Sequence, residues 1–241
     1  MSALTWNILT GTTNTAGAIA RWLNKSTLTA GTGGDADLIL QEALGWIFSR
    51  LRHWKMLTPP QNSTMVIGND QIAVPDDMLE PDFFMIAGLA SDGNFYQQVL
   101  RQRPINDVYT AWAFDGTGAR IQQTPVIYSF NESYIQLDQQ PDLAYPYVIT
   151  YYQLPAALSN SNPTNFLTDF YPRLLRTTCM MMGAEWTKES NQGQYDRTYW
   201  AQQSEAELMQ AQAQSDRARR AIVGSPTIDS DYSGLSIGPV W

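Results

Sequence analysis

Ile149-Thr-Tyr-Tyr-Gln-Leu-Pro155, followed by Asn162-Pro-Thr-Asn165, is the stretch on which the fold turns. The first segment concentrates β-branched and aromatic residues, reads as a strand over Tyr147 to Tyr152, and is closed by proline. The second carries turn and helix-cap chemistry. Downstream, helices resume at Phe166, and Pro172 occupies the first turn of a main helix without losing a needed donor. Arg173 to Lys188 is rich in Leu, Met and Ala. Gln192-Gly-Gln194 separates it from a second helix, Tyr195 to Ile222, which brings Tyr199, Ala206, Met209 and Ala213 near one face. A short connector between two long helices predicts an antiparallel pair.

Past Gly224-Ser-Pro226 the helical periodicity ends, yet Ile228, Tyr232, Leu235, Ile237, Val240 and Trp241 recur between small residues. A disordered tail would not be expected to retain so many large apolar side chains. The segment reads as an extended C-terminal arm with nothing obvious to pack against in its own chain, built to dock on a neighbour.

Upstream of the opening stretch lies a run of short extended segments. Thr64 to Ile67, Gly68-Asn-Asp70 and Gln71 to Val74 read as a hairpin. Further strands are predicted at Phe83 to Leu89, Phe95 to Leu100, Val126 to Ser129 and Tyr134 to Leu137, with a short helix over Ile105 to Phe114. Before them, Thr15 to Leu23 predicts a short helix, and Gly31-Thr-Gly-Gly34 reads as a flexible linker. Asp35 is the expected N-cap of a stronger helix. Its stripe runs through Leu40, Leu44, Ile47, Leu51 and Trp54, stopping near Leu57 ahead of Pro59-Pro60.

The fold class expected is therefore α+β: an antiparallel helical bundle interrupted by a small, mainly antiparallel β domain, with the arm at its end. The segments are 1–60 and 161–223 for the bundle helices, 61–160 for the inserted β domain and 224–241 for the arm.

At 241 residues and 44% hydrophobic content, the chain can build a core. No membrane-length apolar run or secretory signal is visible, so a soluble protein made in a cytoplasm is expected. Net charge is −8. From Gln61 to Tyr171, three basic residues (Arg101, Arg103, Arg120) face twelve acidic ones, a local balance of −9 that disfavours phosphate binding.

Candidates for chemistry are few. His53, the one histidine, has no nucleophile motif nearby and reads as structural. Cys179, the one cysteine, sits beside Met180, Met181 and Met182 and reads as a buried thiol. Asp76, Asp77, Glu80 and Asp82 could hold a cation or act as acid and base, but beside Pro75 and Pro81 they read as a solvated turn. Zinc, haem and EF-hand signatures are absent, and no cofactor or metal is expected. Trp46, Trp54, Trp112 and Trp186 read as core or subunit contacts.

Five strings carry a resemblance when taken together: Val74-Pro-Asp-Asp-Met-Leu-Glu-Pro81, Leu137-Asp-Gln-Gln-Pro-Asp-Leu-Ala-Tyr145, Ile149-Thr-Tyr-Tyr-Gln-Leu-Pro-Ala-Ala-Leu158, Asn162-Pro-Thr-Asn-Phe-Leu167 and Tyr171-Pro-Arg-Leu-Leu175. In order and spacing, over Ser63 to Arg220, the chain resembles the head-to-tail adaptor (connector) proteins of tailed bacteriophages. The resemblance implies a non-enzymatic virion protein, assembled in the host cytoplasm. It implies a twelvefold homo-oligomeric ring between the portal protein and a tail or nozzle protein, through which DNA passes without specific binding. It also implies that Ile228, Tyr232, Leu235, Ile237, Val240 and Trp241 reach the portal or a neighbouring subunit. An acidic lumen would repel phosphates, which makes Asp70, Asp76 and Asp92 candidate channel residues. The alternatives are a carbohydrate- or cell-surface-binding module using Tyr134 or Tyr147, and an acidic hydrolase using Asp76, Asp77 or Glu80.

Overall fold

A computed structural model describes residues 4–12, 15–25, 28–131, 133–186 and 191–223. The chain opens with α1 (Trp6–Thr10), the short strands β1 (Gly11–Thr12) and β2 (Thr15–Ala16), α2 (Ala18–Trp22) and α3 (Asp35–Arg50). The β region follows: β3 (Gln61–Thr64), β4 (Gln71–Ala73), β5 (Met78–Leu89), β6 (Phe95–Val99), β7 (Arg101–Gln102), α4 (Ile105–Thr110), β8 (Ile127–Asn131), β9 (Tyr134–Leu137) and β10 (Pro146–Gln153). Three helices close it: α5 (Phe166–Phe170), α6 (Pro172–Trp186) and α7 (Asn191–Val223). The class is α+β.

α3 forms because Ala36, Ile39, Leu40, Ala43, Leu44, Ile47 and Phe48 make one buried stripe, with Asp35 and Asp37 favourably placed in the first turn. Its N-cap is Gly34, one residue earlier than expected. The preceding glycine run is a tied-down turn, which corrects the linker reading. Asp35 accepts from the Thr29 amide and hydroxyl, both at 3.0 Å. Buried Asp37 accepts from Gly33 N–H and from Trp6 Nε1–H, both at 2.9 Å. Gly31 and Gly33 supply the positive φ values the turn needs, 87° and 74°.

The helix also ends earlier than its periodicity predicts. At Arg52, the side-chain amide of Gln212 on α7 bonds both the backbone N–H and the C=O, each at 3.1 Å. A donor and an acceptor that would otherwise call for helical partners are thereby satisfied. A 3-10 turn, Trp54–Met56, then leads to the β region.

The β region holds two four-stranded sheets, ordered β3-β10-β5-β6 and β4-β9-β8-β7, antiparallel except for the β7–β8 pair. The predicted hairpin is corrected here. β3 pairs with β10 and β4 with β9, so the two strands belong to different sheets, and buried Met65 marks the crossing. Phe84, Ile86, Tyr147, Ile149 and Tyr151 meet Tyr128, Ile135 and Leu137 in one core between the sheets. Phe84 stands edge-on to Tyr128 and to Tyr147, with centroids 5.2 and 5.3 Å apart.

Alternation along β10 divides its side chains. Tyr151 faces the core between the sheets, and Tyr152 faces a second core with Leu40, Leu44, Ile47, Leu51, Leu175 and Leu208. α6 packs on α3 and on α7, and Arg173 in the first turn of α6 pairs with Glu207 (2.8 Å) as α7 runs back past it. Asn165 caps α5 in a reciprocal box with Thr168, and Pro172 opens α6 as expected. The expected connector Gln192-Gly-Gln194 lies inside α7, which starts at Asn191.

Candidate functional site

The residues first weighed for catalysis have structural partners. His53 is buried, stacked on Phe166 at 5.1 Å, with its ring edge-on to Tyr171. Its Nδ1 accepts from the Lys55 amide, so in the neutral ring Nε2–H faces the Tyr171 hydroxyl at 3.0 Å. Burial first, and the Lys55 charge second, lower its pKa from 6.5 to about 4. Cys179 is buried in the helical core, and burial pushes its thiol up to about 12, away from the reactive thiolate.

The carboxylates near Pro75 and Pro81 divide into two groups. Asp76 stays exposed in the turn, while Asp77 accepts from Tyr151 Oη–H (3.3 Å) and from Gln153 on β10. Glu80 and Asp82 lie on β5 and reach the helices, which corrects the solvated-turn reading for these two. Glu80 pairs with Arg52 at 2.9 Å. Asp82 pairs with Arg219 of α7, which also donates to Tyr152 Oη. Among the described residues, no group of three or more His, Cys, Asp or Glu is placed to hold a metal ion.

The three candidate channel residues sit in separate loops, and no described contact joins them. Asp70, just before β4, is engaged by the Arg120 guanidinium and by Gln136 Nε2–H (2.6 Å), and Arg120 lies over the Trp112 ring at 3.8 Å. Asp76 is exposed ahead of β5. Asp92, exposed in the β5–β6 turn, accepts from the Asn94 backbone and side chain and from Tyr96 Oη–H. The Asn94 bonds hold its carboxyl below the usual range. Of the tyrosines that a glycan reading would use, Tyr147 is spent in the core between the sheets. The arm residues Ile228, Tyr232, Leu235, Ile237, Val240 and Trp241, and the side chain of Trp186, lie outside the described residues.

Two apolar faces remain without a partner among the described residues. The first is on α7, where Tyr199, Ala206, Met209 and Ala213 form one stripe with Gln202 between them, and all five are exposed. On the opposite side, Ser204, Leu208, Ala211 and Ser215 are buried. The face that the sequence marks as apolar is therefore the outward one. Inward, the small polar residues are used on backbone: Ser215 Oγ accepts from Trp54 N–H at 2.8 Å, and Ser204 bonds the Trp200 carbonyl. A 3-4 spacing with alanines every second turn is the pattern that lets another helix approach closely.

The second face is the outside of the β3-β10-β5-β6 sheet. Register places Leu89 opposite Phe95 and Met85 opposite both Val99 and Val148, while Phe83 pairs with Thr150. Leu89 and Phe95 are 68% and 67% exposed, well beyond what a sheet face packed on its own chain would leave. Sequence reading had found these strands without seeing that one of their faces stays open. The alternation that would have revealed it is masked, because both faces of β5 are apolar.

A cleft of about 270 Å³ opens beside β3 and β4, lined among others by Gln61, Asn62, Ser63, Ile72, Met78 and Tyr151. No described helix is long and apolar enough to cross a membrane. A family model described as SU10 adaptor protein matches residues 14–226. No curated protein matches the chain.

Proposed function

The chain belongs to the SU10 adaptor protein family, and on that footing we propose that it is a structural head-to-tail adaptor that forms a ring between the portal and the tail of a phage particle. The family match over residues 14–226 carries this reading. The outward stripe of α7 supports it physically. Tyr199, Ala206, Met209 and Ala213 are exposed on a helix whose other side is already packed. A surface of that kind stabilises a subunit only when something covers it, and a heterologous contact repeated by rotation closes without a free end.

In this proposal α3, α6 and α7 form the bundle that meets the next subunit, twelve copies close the ring, and DNA passes through without specific contacts. Assembly takes place in the host cytoplasm, and the finished protein resides at the head–tail interface of the virion. Channel repulsion would come from exposed Asp76 and Asp92 more than from Asp70, whose charge is offset by Arg120. Residues 224–241 reach the portal or the neighbouring subunit in the assembled particle, and the role requires no turnover.

Cosedimentation with the purified portal protein tests this directly. The full chain should bind saturably. A chain ending at Gly224 should fold with unchanged helix content and bind at least about tenfold more weakly, a loss of roughly 1.4 kcal/mol. Equal binding by the two chains would remove the arm from the interface, and no binding by either would remove the adaptor reading.

A further inference from the structure

The outer sheet face has an occupant at hand. α7 ends against this face. Its last turns contact Arg52 through Gln212, Trp54 through Ser215, and then the sheet itself, where Arg219 bonds Asp82 of β5 and Tyr152 of β10. Tyr152, Thr150 and Val148 alternate onto the same side of β10, and Thr150 lies opposite Phe83. Phe83, next in sequence to Asp82, thus begins the uncovered apolar surface that runs on to Met85 and Leu89 and across to Val99 and Phe95. From Arg219 to the end of α7 is four residues, about 6 Å of helix. The chain therefore leaves α7 beside this surface.

We propose that, in the free subunit, residues 224–241 lie extended over the outer face of their own four-stranded sheet, seated on Phe83, Met85, Leu89, Phe95 and Val99. Reach is ample. Phe83 to Leu89 spans about 20 Å of strand, against roughly 60 Å for eighteen extended residues. Chemistry matches as well: the segment offers Ile228, Tyr232, Leu235, Ile237, Val240 and Trp241 to a face on which these five positions carry no charge. Its only charged side chains are Asp229 and Asp231, and the exposed cations that follow Val99 in the chain, where it crosses to the other sheet, are Arg101 and Arg103. Neither arginine has an ion pair among the described residues. Tethering gives the seat a high local concentration of its ligand, so modest contacts suffice.

The inference stands apart from the adaptor reading, since it concerns the unassembled subunit. Docking on a portal would then exchange one apolar seat for another.

Limited chymotrypsin digestion, followed by mass spectrometry of the fragment released by cleavage after Tyr232, is the test. In the full chain this bond should be cut at least about fivefold more slowly than in a synthetic peptide of residues 224–241. The rate should not change with protein concentration. The variant carrying Leu89→Asp and Phe95→Asp alters two exposed side chains, and circular dichroism would verify that it keeps its fold. It should be cut at the peptide's rate. Cleavage of the wild-type chain as fast as the peptide would overturn the proposal, as would protection that survives the double substitution. Protection that grows with concentration would also overturn it, by giving the seat to another copy's arm.

Discussion

His53, read from the sequence as structural, holds two elements together. It joins the start of the 3-10 turn to Phe166 and Tyr171 around α5, and both ring nitrogens are engaged. Its pKa of about 4 in the folded chain, against 6.5 when free, fixes the sign of its pH dependence. The unfolded chain binds the proton more readily. The stability this residue contributes is therefore complete above pH 6.5 and is lost as pH falls toward 4. At about 1.4 kcal/mol per unit, the gap is worth roughly 3 kcal/mol at the acid end. Urea denaturation at pH 7 and pH 4.5 should show a fall in stability that is about 2 kcal/mol larger for the wild type than for His53→Gln. Equal falls in the two proteins would mean that the acid sensitivity belongs to carboxylates elsewhere.

Among the elements, contact of α1 with α2 depends on Gly17. A Cβ placed there would lie 2.3 Å from the Leu9 carbonyl oxygen and 2.4 Å from the Thr10 carbonyl carbon. Both are backbone atoms, which cannot swing aside. Gly17→Ala should destabilise by roughly 2–3 kcal/mol, the range for overpacking, despite alanine's lower unfolded-state entropy. A neutral or stabilising result by thermal denaturation would show that the two helices can separate at no cost. Local chemistry made many elements legible. β9 falls on Tyr134–Leu137 as read, Pro172 opens α6, and β5, β6 and β10 lie within a few residues of their predicted places. What was not legible was partnership. The turn around Gly68 looked like a hairpin because turn residues report direction reversal, not which strand is met. The sequence puts Tyr199, Ala206, Met209 and Ala213 near one face of α7 without telling that this face points outward, because Ser204, Gln212 and Ser215 look like surface residues, while in the fold Gln212 and Ser215 bond the backbone of Arg52 and Trp54 just past α3 and Ser204 bonds the Trp200 carbonyl within α7. Tertiary hydrogen bonds of that kind leave no periodic trace.

At the scale of the whole molecule, the two cores meet at β10, where Tyr151 and Tyr152 belong to different ones, and Arg52–Glu80 and Arg219–Asp82 tie the helices to the sheet. Helices and sheets are therefore joined by both apolar and ionic contacts, and the remaining open surfaces point outward. Met209 is 69% exposed at the middle of the α7 stripe. Met209→Glu should leave the stability of the isolated chain within about 0.5 kcal/mol, the usual range for surface substitutions, and prevent association between copies. Electron microscopy of the purified protein mixed with its portal is the most direct measurement. We expect a closed ring seated on the portal, with Met209 buried between adjacent subunits and the ring absent for Met209→Glu. Portals that stay bare at saturating protein, or a ring in which the α7 stripe faces solvent, would contradict it.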